Sequence, residues 1–265
     1  MDDRFIGATG SHTSIYHPVS LVVADTLLYH FNYSAVDLHF FKIVQGNDPG
    51  TVPLFKQYYQ DCNAYGHFIN GFFLFLFMKR IILASGSPRR KQLLEWAEVP
   101  FEIVVRETSE TYPAELKVED VAIHIARQKA LAVQPTVGGD PIILAADTIV
   151  VLNERIIGKP KDRQDAINIL SDLSGHQHRV ITGVVIVKEK REISFFDSTD
   201  VYFHDLTAGQ IEFYVDKYKP YDKAGAYAIQ EWIGVVGIKS VKGDFYNVMG
   251  LPVSRVVKEL EKIGS

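Results

Sequence analysis

One cysteine, Cys62, stands among 265 residues, which excludes an internal disulfide and any zinc site of the cysteine-rich kind. A chain so poor in cysteine fits a reducing compartment, and a cytoplasmic location is expected. There is no basic surplus: the formal charge is −4. A general nucleic-acid coat needs cations to displace counterions from phosphates, so no nucleic-acid partner is expected. Neither Gly-x-x-x-x-Gly-Lys-Ser/Thr nor Gly-x-Gly-x-x-Gly occurs, which removes a P-loop and a Rossmann dinucleotide site. The most apolar stretch, Phe68 to Phe77, falls well short of the roughly 20 residues that cross a bilayer as a helix, and no membrane partner is expected. No internal repeat or low-complexity linker divides the chain after residue 78.

Glutamate is missing from residues 1–77, where Arg4, Lys42 and Lys56 are the only Lys or Arg residues. Phe, Tyr and His crowd this part without a sustained helical or strand period. From Met78 on, Glu, Lys and Arg are dense and helically spaced. Residues 1–77 therefore read as an extension outside the main domain. Three readings stay open: Met78 as the natural start, a poorly ordered or membrane-touching appendage, or a folded domain. The first is favoured, because Met78-Lys79-Arg80 leads straight into a strand. A signal peptide is not expected, since a basic n-region is lacking and Lys79-Arg80 follows where a small-residue cleavage site would lie. The histidines of this part (His12, His17, His30, His39, His67) match no ligand spacing.

Residues 78–265 read as one mixed α/β domain with a substantial core, in keeping with a chain that is 47% hydrophobic. The pattern predicts strands at 79–84 and 101–105 and helices at 88–97 and 117–133. Residues 141–152 form an apolar run broken by Asp147-Thr148, which predicts a strand buried on both faces. A turn at Asn153-Glu154 and a helix at 161–173 follow. Alternating Val, Ile and Phe at 178–188 and 192–204 predict a long antiparallel pair. Helices at 207–218, capped by Thr207, and 251–263, with Pro252 in the first turn, complete the domain.

Several short segments carry candidate chemistry. Leu83-Ala84-Ser85-Gly86-Ser87-Pro88-Arg89-Arg90 runs from a strand into a helix, with Ser87 as expected N-cap and two arginines beside the free first-turn amides, a setting for an anion. Asp147 within an apolar strand needs a partner or a task, because an unpaired buried carboxylate costs several kcal/mol. Gly158-Lys159-Pro160 leaves Lys159 in a rigid turn. His176 and His178 follow Ser174-Gly175, where an end-cap role is preferred over metal binding. Asp222 to Gln230 is rich in small residues that permit close backbone approach to a ligand. Gly250-Leu251-Pro252 is expected to open a helix with outward amides.

In order, Ser85-Gly86-Ser87-Pro88-Arg89-Arg90, Ala146-Asp147-Thr148, Gly158-Lys159-Pro160, Ser174-Gly175 with His178, Val180, Thr182 and Gly183, Asp222-Lys223-Ala224-Gly225-Ala226-Tyr227, and Gly250-Leu251-Pro252 resemble the Maf family of nucleoside triphosphate pyrophosphatases. Residues 1–77 have no counterpart there. The resemblance implies a mixed α/β sheet with flanking helices, in two lobes around a cleft, of the Maf/ITPase-like kind. It implies hydrolysis of a nucleoside triphosphate between the α and β phosphates, giving the monophosphate and pyrophosphate with a divalent cation, Mg2+ or Mn2+, in a cytoplasmic homodimer. By position, Asp147 is the implied proton acceptor, with Glu110 and Lys159 beside it in catalysis. Ser85, Ser87, Arg90 and Lys129 line the phosphates, and Glu110 and Asp147 are the implied metal ligands. Which of the two carboxylates binds metal and which activates water stays open. Arg89, Thr148 and Gln230 occupy the specificity positions and resemble the branch acting on dTTP and UTP. Ala228 and Glu231 depart from the pattern, standing where glycines are usual. A non-catalytic nucleotide-binding regulator of cell division is the alternative; it would be expected to lack the acid or the lysine, and both are present.

Overall fold

The computed structural model describes residues 19–23, 27–31 and 79–264. Two compact units divide the chain, Met1–Ile69 and Asn70–Ser265. In the first, β1 (Val19–Val23) pairs antiparallel with β2 (Leu27–Phe31), a hairpin the sequence pattern did not mark. The expectations placed on Cys62, His12, His17, His39, His67, Phe68 to Phe77 and a start at Met78 lie outside the described residues.

The second unit is built on a seven-stranded mixed sheet. Its strands are β3 (Ile81–Leu83), β4 (Glu102–Ile103), β5 (Ile142–Leu152), β6 (Arg155–Ile157), β7 (Gln177–Lys188), β8 (Arg191–Phe203) and β9 (Ile238–Lys242). They lie in the order β4-β3-β5-β7-β8-β9, with β6 also on β5. β3 pairs parallel with β4 and β5, and the other pairings are antiparallel. The strand expected over 101–105 shrinks to Glu102–Ile103, because its partner β3 ends at Leu83 and offers one further bond, the Leu83 carbonyl to the Val104 N–H at 3.2 Å.

The continuous apolar run of β5 is explained by its two covered faces. Ile142, Leu144, Ala146, Val150 and Leu152 join the large core made by α1 (Pro88–Trp96), α3 (Arg163–Leu173), α4 (Ala208–Tyr218) and α7 (Val253–Gly264). Ile143, Ala145, Ile149 and Val151 face the opposite side, covered by α2 (Val118–Val133). Thr207 caps α4 in a full capping box with Gln210, as the sequence predicts. Two short helices, α5 (Trp232–Gly237) and α6 (Phe245–Met249), and the strand β9 were not foreseen; each is too short to show a period.

Gly183 on β7 pairs with Asp147 on β5. A Cβ at Gly183 would stand 2.3 Å from both the Ala122 carbonyl carbon and the Ile123 nitrogen, so α2 rests its backbone directly on the sheet here. A clash with main chain cannot be relieved by a rotamer change. Gly183→Ala is therefore expected to destabilise the domain by about 3 kcal/mol, at the upper end of overpacking costs. An unchanged denaturant midpoint for that variant would contradict so close an approach.

On the helix-rich side, His178 is 2% exposed and shares a 2.7 Å hydrogen bond with the Tyr227 hydroxyl, edge-on to Phe203. Burial pushes its imidazole down from 6.5 to about 4. The unfolded chain thus binds a proton between pH 6.5 and 4 that the folded one refuses. This contribution is fully present above pH 6.5 and is lost as pH falls toward 4, amounting to about 3 kcal/mol across that window. Unfolding free energies of the parent protein and His178→Gln should accordingly converge in their pH slope only above pH 6.5; parallel slopes below it would refute the assignment.

Candidate active site

β3 and β6 lie along the same edge of β5, but β3 reaches only residues 142–144 and β6 only 150–152. Among the described residues no strand covers 145–149 on that edge, while β7 covers the other edge without a break. The sheet is open there, and a cleft of about 550 Å³ occupies the opening. That volume is in the range of small-molecule sites. Successive strand residues point to opposite faces, so Asp147 turns toward α2 and Thr148 toward α1, and the gap lets both border the same cleft.

On the α2 side, Lys129 Nζ lies 2.6 Å from Asp147 Oδ1 and 2.8 Å from Glu110 Oε1. Lys159, at the exposed turn after β6, is 3.7 Å from the other oxygen of Glu110. Glu110 adopts φ of 48°, an unusual left-handed backbone for a residue with a side chain. Partial burial opposes the charge on Glu110, but Lys129, Lys159 and Arg90 together hold its carboxyl below the usual range.

On the α1 side Arg90 is buried, at 8% exposure. Its Nε donates to the Gly250 carbonyl at 2.8 Å, Nη1 to Ser85 Oγ at 3.0 Å and Nη2 to Thr148 Oγ1 at 3.0 Å. Burial lowers its basicity, which the charge of Asp147 partly restores. Arg89 is half-buried; Nε donates to the Met249 carbonyl at 3.3 Å, and the guanidinium approaches Asp222 at 3.8 Å.

Two expectations for these loops change. Ser87 occupies the N-cap position of α1, but its side chain caps nothing; instead its own N–H donates to Ser85 Oγ at 3.3 Å. Ser85 is thus the residue that ties the loop to Arg90. At Gly250-Leu251-Pro252 the amides do not face outward: the Gly250 and Leu251 N–H groups are taken up by α6 carbonyls of Tyr246 and Asn247. The Gly250 carbonyl is what the site uses, and φ of 122° at that residue explains why glycine stands there.

The structure brings Ser85, Ser87, Arg89, Arg90, Glu110, Lys129, Asp147, Thr148 and Lys159 to one cleft. Gln230 stands apart, exposed and outside the cleft wall, while Tyr227 and Ala228 of the same segment border it. His176 hydrogen-bonds the Ser174 carbonyl at 2.7 Å, the end-cap role expected of it. The cleft also holds Lys223, a residue for which the sequence pattern predicts no role of its own. It is 8% exposed and sits 2.8 Å from Asp222 and 3.6 Å from Glu231. Glu231 accepts from the Tyr214 hydroxyl, and that hydroxyl accepts from the Ala228 N–H at 3.2 Å. Ala228 and Glu231 are therefore one tie holding the cleft wall; a lysine inside a run of small residues was the available signal.

With Arg89, Arg90, Arg106, Lys129, Lys159 and Lys223 against Glu107, Glu110, Asp147 and Asp222, the cleft wall has a surplus of cations although the whole chain is acidic. Such a wall suits a polyanion, and two carboxylates beside it suit a proton acceptor and a hard cation. Among known proteins, the chain is 50% identical over 183 residues to a dTTP/UTP pyrophosphatase of Cytophaga hutchinsonii, covering 69% of this chain and 84% of the relative. It is 45% identical to a dTTP/UTP pyrophosphatase of Parabacteroides distasonis, covering 69% and 95% respectively. The solved structure of the Staphylococcus aureus Ham1 protein aligns with 70% of this chain and 100% of its own, at 14% identity and a TM-score of 0.42. The family model described as Maf-like protein matches residues 80–263, the whole span of the sheet, its helices and the cleft, and the chain belongs to that family.

Proposed function

We propose that this chain is a nucleoside triphosphate pyrophosphatase acting on dTTP and UTP, and that it cleaves the bond between the α and β phosphates. The carrying observation is the juxtaposition in one cleft of the Glu110–Lys129–Asp147 cluster and the buried Arg90. The names and identities of its curated relatives support the substrate pair. The alternative of a regulator without catalysis is disfavoured by the presence of both the acid and Lys159 at the cleft.

A triphosphate tail carries nearly four negative charges, so it needs fixed cations more than it needs shape. Arg89, Arg90 and Lys159 supply them, and Arg90 does so with its geometry already set by three acceptors. Water attacks the α phosphorus, a new P–O bond forms, the bond to the bridging oxygen breaks, and pyrophosphate departs with that electron pair. The proton released by the water needs an acceptor. The family resemblance gives that task to Asp147, whose carboxylate lines the cleft with Lys129 at 2.6 Å.

A divalent cation fits this donor set. Glu110 and Asp147 already place oxygens around one cationic point, the Lys129 ammonium. Mg2+ is commonly bound through one or two carboxylates plus substrate phosphates. Mg2+ or Mn2+ would be held by Glu110 and Asp147, and when bound it supplies positive charge to the departing pyrophosphate. Among the described residues no helix is long and apolar enough to cross a membrane. A cytoplasmic homodimer completes the reading, on the support of the family resemblance.

Asp147→Asn keeps the size of the side chain and leaves Lys129 paired with Glu110, so the fold should persist. Pyrophosphate release from dTTP is expected to fall at least ~10³-fold, toward the upper range for loss of a general base. Turnover within tenfold of the parent would remove Asp147 from the mechanism. Lys159→Ala, which deletes a cation facing developing charge, should cost about 10²-fold in kcat; a change confined to KM would make Lys159 a ground-state binder only.

A further inference from the structure

Behind the cleft wall, a row of hydrogen bonds runs from Arg90 into the core. Arg90 Nη2 donates to Thr148 Oγ1 at 3.0 Å. Thr148 Oγ1 and Thr182 Oγ1 are 2.9 Å apart, and Thr182 Oγ1 donates to the Asn247 carbonyl at 3.1 Å. A guanidinium can only donate and a carbonyl can only accept. Each hydroxyl has one proton, so the order that satisfies all three of these contacts runs one way: Arg90 gives to Thr148, Thr148 to Thr182, and Thr182 to Asn247. A longer contact of 3.4 Å from Thr148 to the Gly250 carbonyl competes for the same proton. On either route Thr148 spends its proton inside the protein and keeps a lone pair for Arg90.

The far end is held as firmly. Asn247 is fully buried, and its Nδ2 donates to the Val180 carbonyl at 3.0 Å and to Thr199 Oγ1 at 2.9 Å. One side chain thus fastens α6 to both β7 and β8. That short helix delivers the Met249 and Gly250 carbonyls that hold Arg89 and Arg90. Asn247 Oδ1, also buried, finds no partner in the protein among the described residues. A buried orphan acceptor is costly, which argues that the residue is kept for what its other atoms place.

Resting on the pyrophosphatase reading, we propose that Thr182 and Asn247 are positioning residues: a one-way chain of donated hydrogen bonds through them fixes the Thr148 hydroxyl and, with it, the Arg90 guanidinium at the phosphate side of the cleft. Neither residue borders the cleft opening. They act through Thr148, Met249 and Gly250.

Thr182→Val removes the link at nearly constant shape, and Thr182→Ser restores it. Arg90 meets phosphate charge before and during hydrolysis, so a loosened Arg90 weakens both states alike and shows in KM. Thr182→Val should raise KM for dTTP about tenfold, the scale of one lost hydrogen bond, with kcat changed less than about threefold. Thr182→Ser should return KM to the parent value. In the free protein, the 15N–1H signal of Arg90 Nε should exchange with solvent faster in Thr182→Val and be protected again in Thr182→Ser. Parent-like KM and exchange in the valine variant, or a serine variant as impaired as valine, would overturn the relay. If the parent itself releases no pyrophosphate, the functional reading fails, and Arg90 exchange alone still decides the relay.

Discussion

The site depends on a gap in a ladder. Among the described residues, 145–149 of β5 have a strand neighbour on one edge only, because β3 stops pairing at Leu144 and β6 begins at Val150. In a fully paired strand, Asp147 and Thr148 would serve two separate surfaces. With the edge open, both side chains reach one space, and the sheet's two faces contribute opposite kinds of chemistry to it: an acid and a lysine from the α2 side, a buried arginine from the α1 side. The continuous pairing with β7 on the other edge keeps this stretch extended despite the opening.

That arrangement sets the electrostatics. Lys129 would be expensive to place so near the sheet without compensation, and it has two carboxylates, one of which is also held by Lys159. Arg90 is more deeply buried and compensated by neutral acceptors, the Gly250 carbonyl and the Ser85 and Thr148 hydroxyls, alongside the longer-range pull of Asp147. Neutral acceptors fix direction without cancelling charge, so Arg90 stays available to an anion. The two cations are therefore tuned differently: Lys129 is neutralised until something competes for its carboxylates, whereas Arg90 is aimed and left electrically open.

Close approach is what makes these distances possible. Gly183, opposite Asp147, lets the backbone of α2 touch the sheet, and Lys129 is carried on that helix to within 2.6 Å of the acid. Asn247 does the corresponding work on the other face by pinning α6, whose C-terminal carbonyls receive the two arginines. Neither residue touches the cleft opening, yet each decides where a cation stands.

Much of the frame was legible in the residues. The apolar run around Asp147 foretold a strand covered on both sides, the alternating 178–188 and 192–204 segments foretold the long hairpin of β7 and β8, and Thr207 and Pro252 marked helix starts. These features are local, set by side-chain period and by backbone groups within one turn. The motifs also named most of the cleft residues, since a strand leading to Ser-Pro-Arg-Arg and an acid in an oily strand each announce a chemical need. What sequence could not supply is who answers that need. That Lys129 is shared by Glu110 and Asp147, that Ser85 and not Ser87 bonds the arginine, that Gly250 serves through its carbonyl, that Gln230 lies off the cleft wall, and that Thr182 and Asn247 stand behind Arg90 are matters of placement in space, and most of them are pairings between residues far apart in the chain. A pairing of that kind exists only once the sheet is assembled and its edge left open, because side-chain chemistry fixes what a residue can bond and the fold alone fixes what comes within 3 Å of it.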